Sequence, residues 1–221
     1  MARAVVRGLA LALNVPPETL LAYCCGGETI SLVRLFHYFP AVAGRNNCIG
    51  SSPHTDWGFL TLIAQDAVGG LEYQKDGRWL AVPPTPNGVN ELILNGGDAL
   101  ELMSRGRYRA PVHRVLCPPQ ERERYSLVFF YYPSYNARLD APEWLGYTGK
   151  APVGLTEQVA HDSGDAGGAG SKAFEGGATG DMNALKAYNT LLQGVSPASD
   201  GGLPAFGACI LQKWQGVSRR G

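Results

Sequence analysis

Between residues 31 and 132 the hydrophobic positions fall in short runs rich in branched and aromatic side chains, with turn residues between the runs. Such runs are typical of β-strands. Asp76-Gly77 lies between two of them and is a strong hairpin signal. Many short strands at close spacing predict a sandwich, barrel or jelly roll rather than alternating βαβ units. The predicted strands are residues 31–39, 59–64, 71–74, 78–82, 92–94, 112–116 and 125–132.

Helical spacing of apolar residues occurs at both ends of the chain. Residues 2–13 are predicted to form a helix that ends before Pro16-Pro17. Between the strands, a short helix is expected to open at Asp98, with Glu101 completing a D-x-x-E capping box, and to end at Gly106. Two C-terminal helices are predicted from apolar residues at helical spacing, which are Met182, Leu185, Tyr188 and Leu191 in one and Phe206, Ile210, Trp214 and Val217 in the other.

The pattern divides the chain into three segments. These are a helical segment over 1–30, a β-rich core over 31–140 and a C-terminal extension over 141–221. Within the extension, residues 161–181 are rich in glycine and alanine. Such a composition buries too little apolar surface to offset the entropy of ordering, so we expect a mobile insertion there.

The overall composition is that of a globular domain, because 45% of the 221 residues are hydrophobic. Lys and Arg number 19, and so do Asp and Glu, which gives a formal net charge of zero. Proteins that bind nucleic acid through its phosphates usually have a basic excess, so that class is disfavoured. No apolar run approaches the length that a membrane span requires, so no membrane association is expected.

The five cysteines are odd in number and include no C-x-x-C pair. This pattern predicts neither a disulfide framework nor a zinc knuckle, and we expect buried or incidental thiols. Free thiols are typical of the reducing cytosol, so we expect a cytoplasmic protein. The cysteines are Cys24, Cys25, Cys48, Cys117 and Cys209.

Two of the four histidines occupy positions suited to binding a metal ion. His54 and Asp56 form an H-x-D motif, and side chains two apart on an extended backbone point to the same side. His113, in a predicted strand, would complete a set of two histidines and one carboxylate. That set is the facial triad of non-haem Fe(II) sites. H-x-D alone is a weak signal, and the other interpretation of His113 is a strand histidine with a backbone partner.

A third motif, Arg124-Tyr125-Ser126, begins the strand that follows His113. Strand alternation puts the guanidinium and the Ser126 hydroxyl on one face, which is otherwise apolar. A planar guanidinium beside a hydroxyl is suited to binding a carboxylate. The other interpretation is an edge-strand arginine paired on the surface with Glu121 or Glu123.

The stretch 53–136 resembles the Fe(II)- and 2-oxoglutarate-dependent dioxygenases of the isopenicillin N synthase-like superfamily. Four blocks carry the resemblance and follow the family's order. Weaker similarity extends to LVRLFHYFP (32–40) and FGACILQKW (206–214). The four blocks are HTDWGFLTLI (54–63), GGLEYQKDGRW (69–79), NGGDALELMSRGRYRAPVHRV (95–115) and RYSLVFFYYP (124–133).

The resemblance implies a mainly β fold, the double-stranded β-helix or jelly-roll barrel, with flanking N-terminal and C-terminal helices. It implies that the iron ligands are His54, Asp56 and His113. It also implies that Arg124 and Ser126 bind the distal carboxylate of 2-oxoglutarate.

Two further roles follow from the same resemblance. Tyr38 is similar to a tyrosine that also contacts the 2-oxoglutarate carboxylate, although Phe36 stands where family members commonly have asparagine. Phe130 is similar to an aromatic residue that faces the organic substrate. The other interpretation of both residues is ordinary core packing.

The implied activity is oxidation of a small organic molecule, by hydroxylation or desaturation, with release of succinate and CO2. The implied cofactors and co-substrates are Fe(II), 2-oxoglutarate and O2, with ascorbate as a reductant. The implied partner is a small-molecule substrate and not a nucleic acid or a membrane. No oligomeric state is implied.

The family normally has an additional N-terminal region before the first helix, and this chain lacks matching text. Three other interpretations stay open. Two are oxidases that use the same triad without 2-oxoglutarate, resembling isopenicillin N synthase or the ethylene-forming enzymes. The third is a truncated, inactive, metal-free homologue that acts as a binding domain.

Overall fold

The computed structural model describes residues 1–41, 48–84, 91–139, 195–196 and 204–218. Over these residues the fold is mainly β, with eight strands in two four-stranded antiparallel sheets. The strands are β1 (Leu32–Tyr38), β2 (Ile49–His54), β3 (Leu60–Gln65), β4 (Leu71–Lys75), β5 (Arg78–Ala81), β6 (Ile93–Gly96), β7 (His113–Leu116) and β8 (Arg124–Tyr131).

The two sheets have the strand orders β1-β8-β3-β6 and β2-β7-β4-β5. Apolar residues from both sheets pack together in one small cluster, so the sheets lie face to face as in a jelly roll. Within the described residues no hydrogen-bonded strand pair joins them. The members of the cluster are Ile63, Leu71, Val115 and Val128.

Helices flank the sheets as predicted. They are α1 (Ala2–Ala12), α2 (Glu18–Cys25), α3 (Asp98–Met103) and α4 (Phe206–Ser218). The larger core cluster contains buried residues of all four helices together with Leu60 and Leu62 of β3. The mainly β fold with flanking N-terminal and C-terminal helices is therefore confirmed.

The β4–β5 hairpin forms at the predicted turn. Asp76 and Gly77 both have positive φ, 49° and 74°, which the two central residues of a type I′ turn require. Glycine adopts such angles without steric penalty, whereas most other residues do not. The D-G motif therefore predicted this turn correctly.

The predicted capping box of α3 is wrong. Gly97 is the N-cap residue, and the Glu101 amide donates to the Gly97 carbonyl oxygen. The Glu101 carboxylate instead accepts a hydrogen bond from the Ala110 amide over 2.7 Å. The helix also ends earlier than predicted, at Met103 with Ser104 as C-cap.

The short apolar run Leu92-Ile93-Leu94 also predicts that this strand is buried, and that expectation is wrong. Leu92 and Leu94 are 44% and 43% exposed. The reason is that β6 is an edge strand, paired only with β3 within the described residues, so its outward side chains have no covering layer.

The expectation of five free thiols is also wrong, because Cys48 and Cys117 form a disulfide. Strand pairing explains the bond. Ile49 of β2 lies opposite Leu116 of β7, so the preceding and following cysteines meet at that end of the ladder. The Cys117 amide donates to the Cys48 carbonyl oxygen over 2.9 Å. Cys24 and Cys209 are buried free thiols, and Cys25 is an exposed one.

Several predictions lie outside the described residues. They are the glycine- and alanine-rich segment 161–181 and the helix expected around Met182 to Leu191. The three-segment division at 30/31 and 140/141 stays a prediction. Among the described helices, none has the length and apolar character to cross a bilayer.

Candidate metal centre

Pairing of β2 with β7 brings the two predicted histidine ligands together. His54 ends β2, His113 begins β7, and the two are opposite each other in the antiparallel ladder. Their ring centroids are 4.3 Å apart. Asp56 follows two residues after β2, and its Oδ1 lies 3.8 Å from Nε2 of each histidine. One ligand atom from each of the three side chains lies within 4.8 Å of the others, which is a spacing that a single metal ion can bridge.

Backbone contacts orient both imidazoles toward the same point. His54 Nδ1 is 2.7 Å from the Ser52 carbonyl oxygen, and His113 Nδ1 is 3.1 Å from that of Pro111. A carbonyl oxygen can only accept, so Nδ1 is the protonated nitrogen of a neutral ring, and the lone pair of Nε2 in that form faces Asp56. Burial lowers the pKa of His113, which favours the neutral form that a metal ligand needs.

Asp56 is held by groups that the sequence did not indicate. Its second oxygen, Oδ2, accepts a hydrogen bond from Asn95 Nδ2 over 2.8 Å, and its carbonyl oxygen accepts from the Asp98 amide over 2.7 Å. Asp56 itself is only 5% exposed. A Cβ atom at Gly97 would lie 2.2 Å from the Gly58 carbonyl oxygen, so glycine is needed where these loops meet.

We expect Asn95→Ala to weaken Co(II) binding about 10- to 100-fold, the range found when a group that orients a metal ligand is removed. The physical reason is that Asp56 Oδ2 would lose its donor and the carboxylate its fixed orientation. Calorimetric titration of the purified chain with Co(II) measures the affinity. Gln74→Ala, on an exposed position of β4, is the matched control. Unchanged affinity in Asn95→Ala would refute the orienting role.

Arg124 lies inside the fold and not on its surface. Strand β8 runs between β1 and β3, and the Arg124 side chain is 1% exposed. Its guanidinium donates to the Gly69 carbonyl oxygen over 2.7 Å, to Ser126 Oγ over 3.2 Å and to Gln65 Oε1 over 3.0 Å. The interpretation of an edge-strand arginine paired with a surface glutamate is therefore wrong. Burial lowers the pKa of Arg124 from its ordinary value.

The remaining predicted site residues line the same interior space. Tyr38 lies opposite Arg124 in the β1–β8 ladder, and the guanidinium stands over its ring at 4.8 Å from the centroid. A small inner cavity of about 50 Å³ is bordered by all seven predicted site residues. They are Tyr38, His54, Asp56, His113, Arg124, Ser126 and Phe130.

A larger outer cavity of about 430 Å³ adjoins the inner one. His54, Asp56, Phe36 and Phe130 border both cavities. The other aromatic residues of its wall are Trp57, Tyr132 and Trp214. Two of the candidate metal ligands, His54 and Asp56, thus stand between a small inner cavity and a larger aromatic one.

A jelly roll that brings two histidines and one carboxylate to a single point defines the class of mononuclear non-haem iron oxygenases. Residues 30–133 match the model of the 2OG-Fe(II) oxygenase superfamily. That segment contains all three candidate metal ligands and is similar to the members of that superfamily.

Individual proteins support this assignment. The chain is 42% identical over 102 residues to "Gibberellin 2-beta-dioxygenase 8" of Arabidopsis thaliana, covering 46% of this chain and 29% of that protein. The structure is similar to JOX2 in complex with 2OG, Fe and JA, with a TM-score of 0.58 and 29% identity over 66% of this chain and 42% of that one. It is also similar to the 2-oxoglutarate complex of the auxin-oxidising dioxygenase AtDAO1 of Arabidopsis thaliana, with a TM-score of 0.57 and 28% identity, over 66% of this chain and 53% of that one. The matched segment spans about a third of the curated relative and about half of the solved chains.

Proposed function

We propose that this protein is an Fe(II)- and 2-oxoglutarate-dependent dioxygenase that oxidises a small organic molecule. The observation that carries the proposal is the convergence of His54, Asp56 and His113 on one point of an interior that also contains Arg124. The relatives support the reaction class, since they bear the names of dioxygenases.

The donor set fits a ferrous ion. Two neutral imidazoles and one carboxylate are the ligands of the facial triad, which leaves further coordination positions free. When bound, the iron would supply the oxidising chemistry with O2, while 2-oxoglutarate is converted to succinate and CO2. Ascorbate is the proposed reductant that keeps the metal ferrous.

The interior also fits a dicarboxylic acid at its inner end. Arg124 supplies a charged donor fork beside the Ser126 hydroxyl. Thr61 is 1% exposed and borders the same inner cavity, and within the described part of the chain its Oγ1 has no hydrogen-bond partner. A buried hydroxyl without a partner is unfavourable unless a ligand or water supplies one. We infer that these groups bind the carboxylate end of 2-oxoglutarate, with Tyr38 forming the adjacent wall.

The other residues of the site orient the metal-binding side chains and surround them. Asn95 orients Asp56 through its hydrogen bond to Oδ2, and the backbone oxygens of Ser52 and Pro111 orient the two imidazoles. Phe36 and Phe130 border both cavities and place apolar surface beside the metal-binding side chains.

We expect Thr61→Val to weaken 2-oxoglutarate binding several-fold without lowering the stability of the fold. Valine has nearly the shape of threonine, and the hydroxyl that it lacks has no partner among the described residues. Titration of the Co(II)-loaded chain with 2-oxoglutarate measures the affinity, and urea unfolding measures the free energy of unfolding. A large loss of stability with unchanged affinity would show that the Thr61 hydroxyl has a structural role.

The activity is tested in two steps. The first is anaerobic addition of Fe(II) and 2-oxoglutarate, which should produce the visible absorption band of an iron-bound keto acid. The second is admission of O2, which should yield succinate in amounts that follow 2-oxoglutarate loss. Metal binding without the absorption band would favour an oxidase that does not use 2-oxoglutarate. Absence of metal binding would favour the interpretation of the chain as a metal-free binding domain.

We propose a small-molecule substrate rather than a nucleic acid or a membrane, on the basis of the zero net charge and the outer cavity of about 430 Å³. The cytoplasmic location stays a prediction. Whether the substrate is hydroxylated or desaturated is decided by product analysis in the same assay.

A further inference from the structure

A row of side chains on β1 runs from the inner cavity to the outer one. Tyr38 borders the inner cavity, Phe36 borders both, and Arg34 borders the outer cavity. The three residues alternate along one strand, so they share its inward face. Arg34 therefore borders the outer cavity and Arg124 the inner one, and His54 and Asp56 border both.

The Arg34 guanidinium is held in place by an aromatic ring. Its central carbon stands 4.4 Å from the centroid of Trp214, on α4. Stacking of this kind orients the plane of the guanidinium and leaves the N–H groups at its edge available. Trp57 meets Trp214 edge to face with centroids 6.0 Å apart, which extends the aromatic wall beside the cation.

Charge distinguishes Arg34 from the other cation near this wall. Lys213 stacks on Trp57 at 5.2 Å and is attracted to the buried Asp98 carboxylate. For Arg34 the described part of the chain shows a ring partner and no carboxylate. It is also the one Lys or Arg among the described residues that border the outer cavity. A site with one cation and many aromatic atoms suits a monoanion of low polarity better than a phosphate dianion.

We propose that the outer cavity binds a planar, apolar organic acid, with its carboxylate on Arg34 and its ring system against Trp57, Trp214 and Phe130. This proposal rests on the proposed function and names the substrate class of that site. The Arg34 contact fixes one end of the substrate, so the apolar part lies in the cavity that His54 and Asp56 border. Arg34 is then a specificity-determining residue.

The test compares an acid with its neutral analogue. The full chain is loaded with Co(II) and saturated with 2-oxoglutarate without O2, which occupies the Arg124 end of the space. Calorimetric titration then measures binding of 2-naphthylacetate and of 2-naphthylacetamide. We expect the acid to bind at least about tenfold more tightly than the amide, because its carboxylate can form a charge-assisted hydrogen bond with Arg34.

Arg34→Gln should remove this preference and leave amide binding nearly unchanged. Because Arg34 is exposed on one side, the variant is expected to fold normally. Arg78→Gln, at an exposed strand position outside the cavity, is the matched control and should keep the preference.

The outcomes separate the two proposals. A wild-type chain that binds neither Co(II) nor 2-oxoglutarate contradicts the proposed function. A chain that binds both, but binds acid and amide equally or binds neither probe, overturns the assignment of an organic-acid substrate and leaves the proposed function intact. The same holds for a preference that persists in Arg34→Gln.

Discussion

Replacing Asp56 by alanine is expected to weaken Co(II) and Fe(II) binding by well over 100-fold and to abolish 2-oxoglutarate turnover. Asp56 Oδ1 lies 3.8 Å from each of the two histidine Nε2 atoms, and the Asp56 carboxylate supplies negative charge to the site. Removal of a direct ligand should weaken metal binding more than removal of a group that only orients a ligand, which weakens it about 10- to 100-fold. Calorimetric titration with Co(II) and an assay for succinate measure the two effects.

The control for this variant is Asp76→Asn. Asp76 lies in the exposed β4–β5 turn, and asparagine also tolerates its positive φ of 49°. Circular dichroism should be unchanged in both variants, because the three metal-binding side chains are not needed to pack the core around Leu60 and Leu100. Wild-type Co(II) affinity in Asp56→Ala would remove this triad as the metal site.

Strands with regular patterns were predictable from the sequence, and strands without them were not. The branched and aromatic runs identified β1, β3, β7 and β8 within a residue or two of their bounds. β2 was missed, since Ile49–His54 reads IGSSPH and contains one branched apolar residue. Its place in the sheet comes from its ladder with β7, which no local signal reveals. Helix α2 was missed because Pro16-Pro17 was taken as an end and not also as the start of a new helix.

The site was predictable as a set of residue types but not as a geometry. The motifs located His54, Asp56, Arg124 and Ser126, and the family resemblance supplied their roles. The approach of His54 to His113 depends on the β2–β7 register, which joins residues 59 positions apart.

The supporting groups had no such signal. Asn95, Thr61 and the Cys48–Cys117 disulfide each act through a partner distant in the sequence. Asparagine in a short strand and threonine in a buried one are common without any function. The cysteine count correctly argued against a disulfide-rich scaffold, but it could not exclude a single bond between neighbouring strands.

Replacing Arg124 by lysine is expected to weaken 2-oxoglutarate binding about 10- to 100-fold, equivalent to about 1.5–3 kcal/mol for a hydrogen bond to a charged group. An ammonium group is a point charge and cannot reproduce the planar fork. It also cannot donate at once to Gly69, Ser126 and Gln65, so buried acceptors lose their partners and the fold is destabilised by about 1–3 kcal/mol. Titration of the Co(II)-loaded variant with 2-oxoglutarate measures the affinity, and urea unfolding measures the stability.

Selectivity distinguishes loss of recognition from loss of structure. If Arg124 binds the distal carboxylate, the variant should lose affinity for 2-oxoglutarate but not for pyruvate, a keto acid that has no second carboxylate. Ser126→Ala, a smaller change at the same place, should give a weaker effect of the same kind and keep the fold intact. Arg122→Lys, at an exposed position two residues away, should change neither affinity. Equal losses for both keto acids in Arg124→Lys would mean that the arginine shapes the interior without binding the co-substrate.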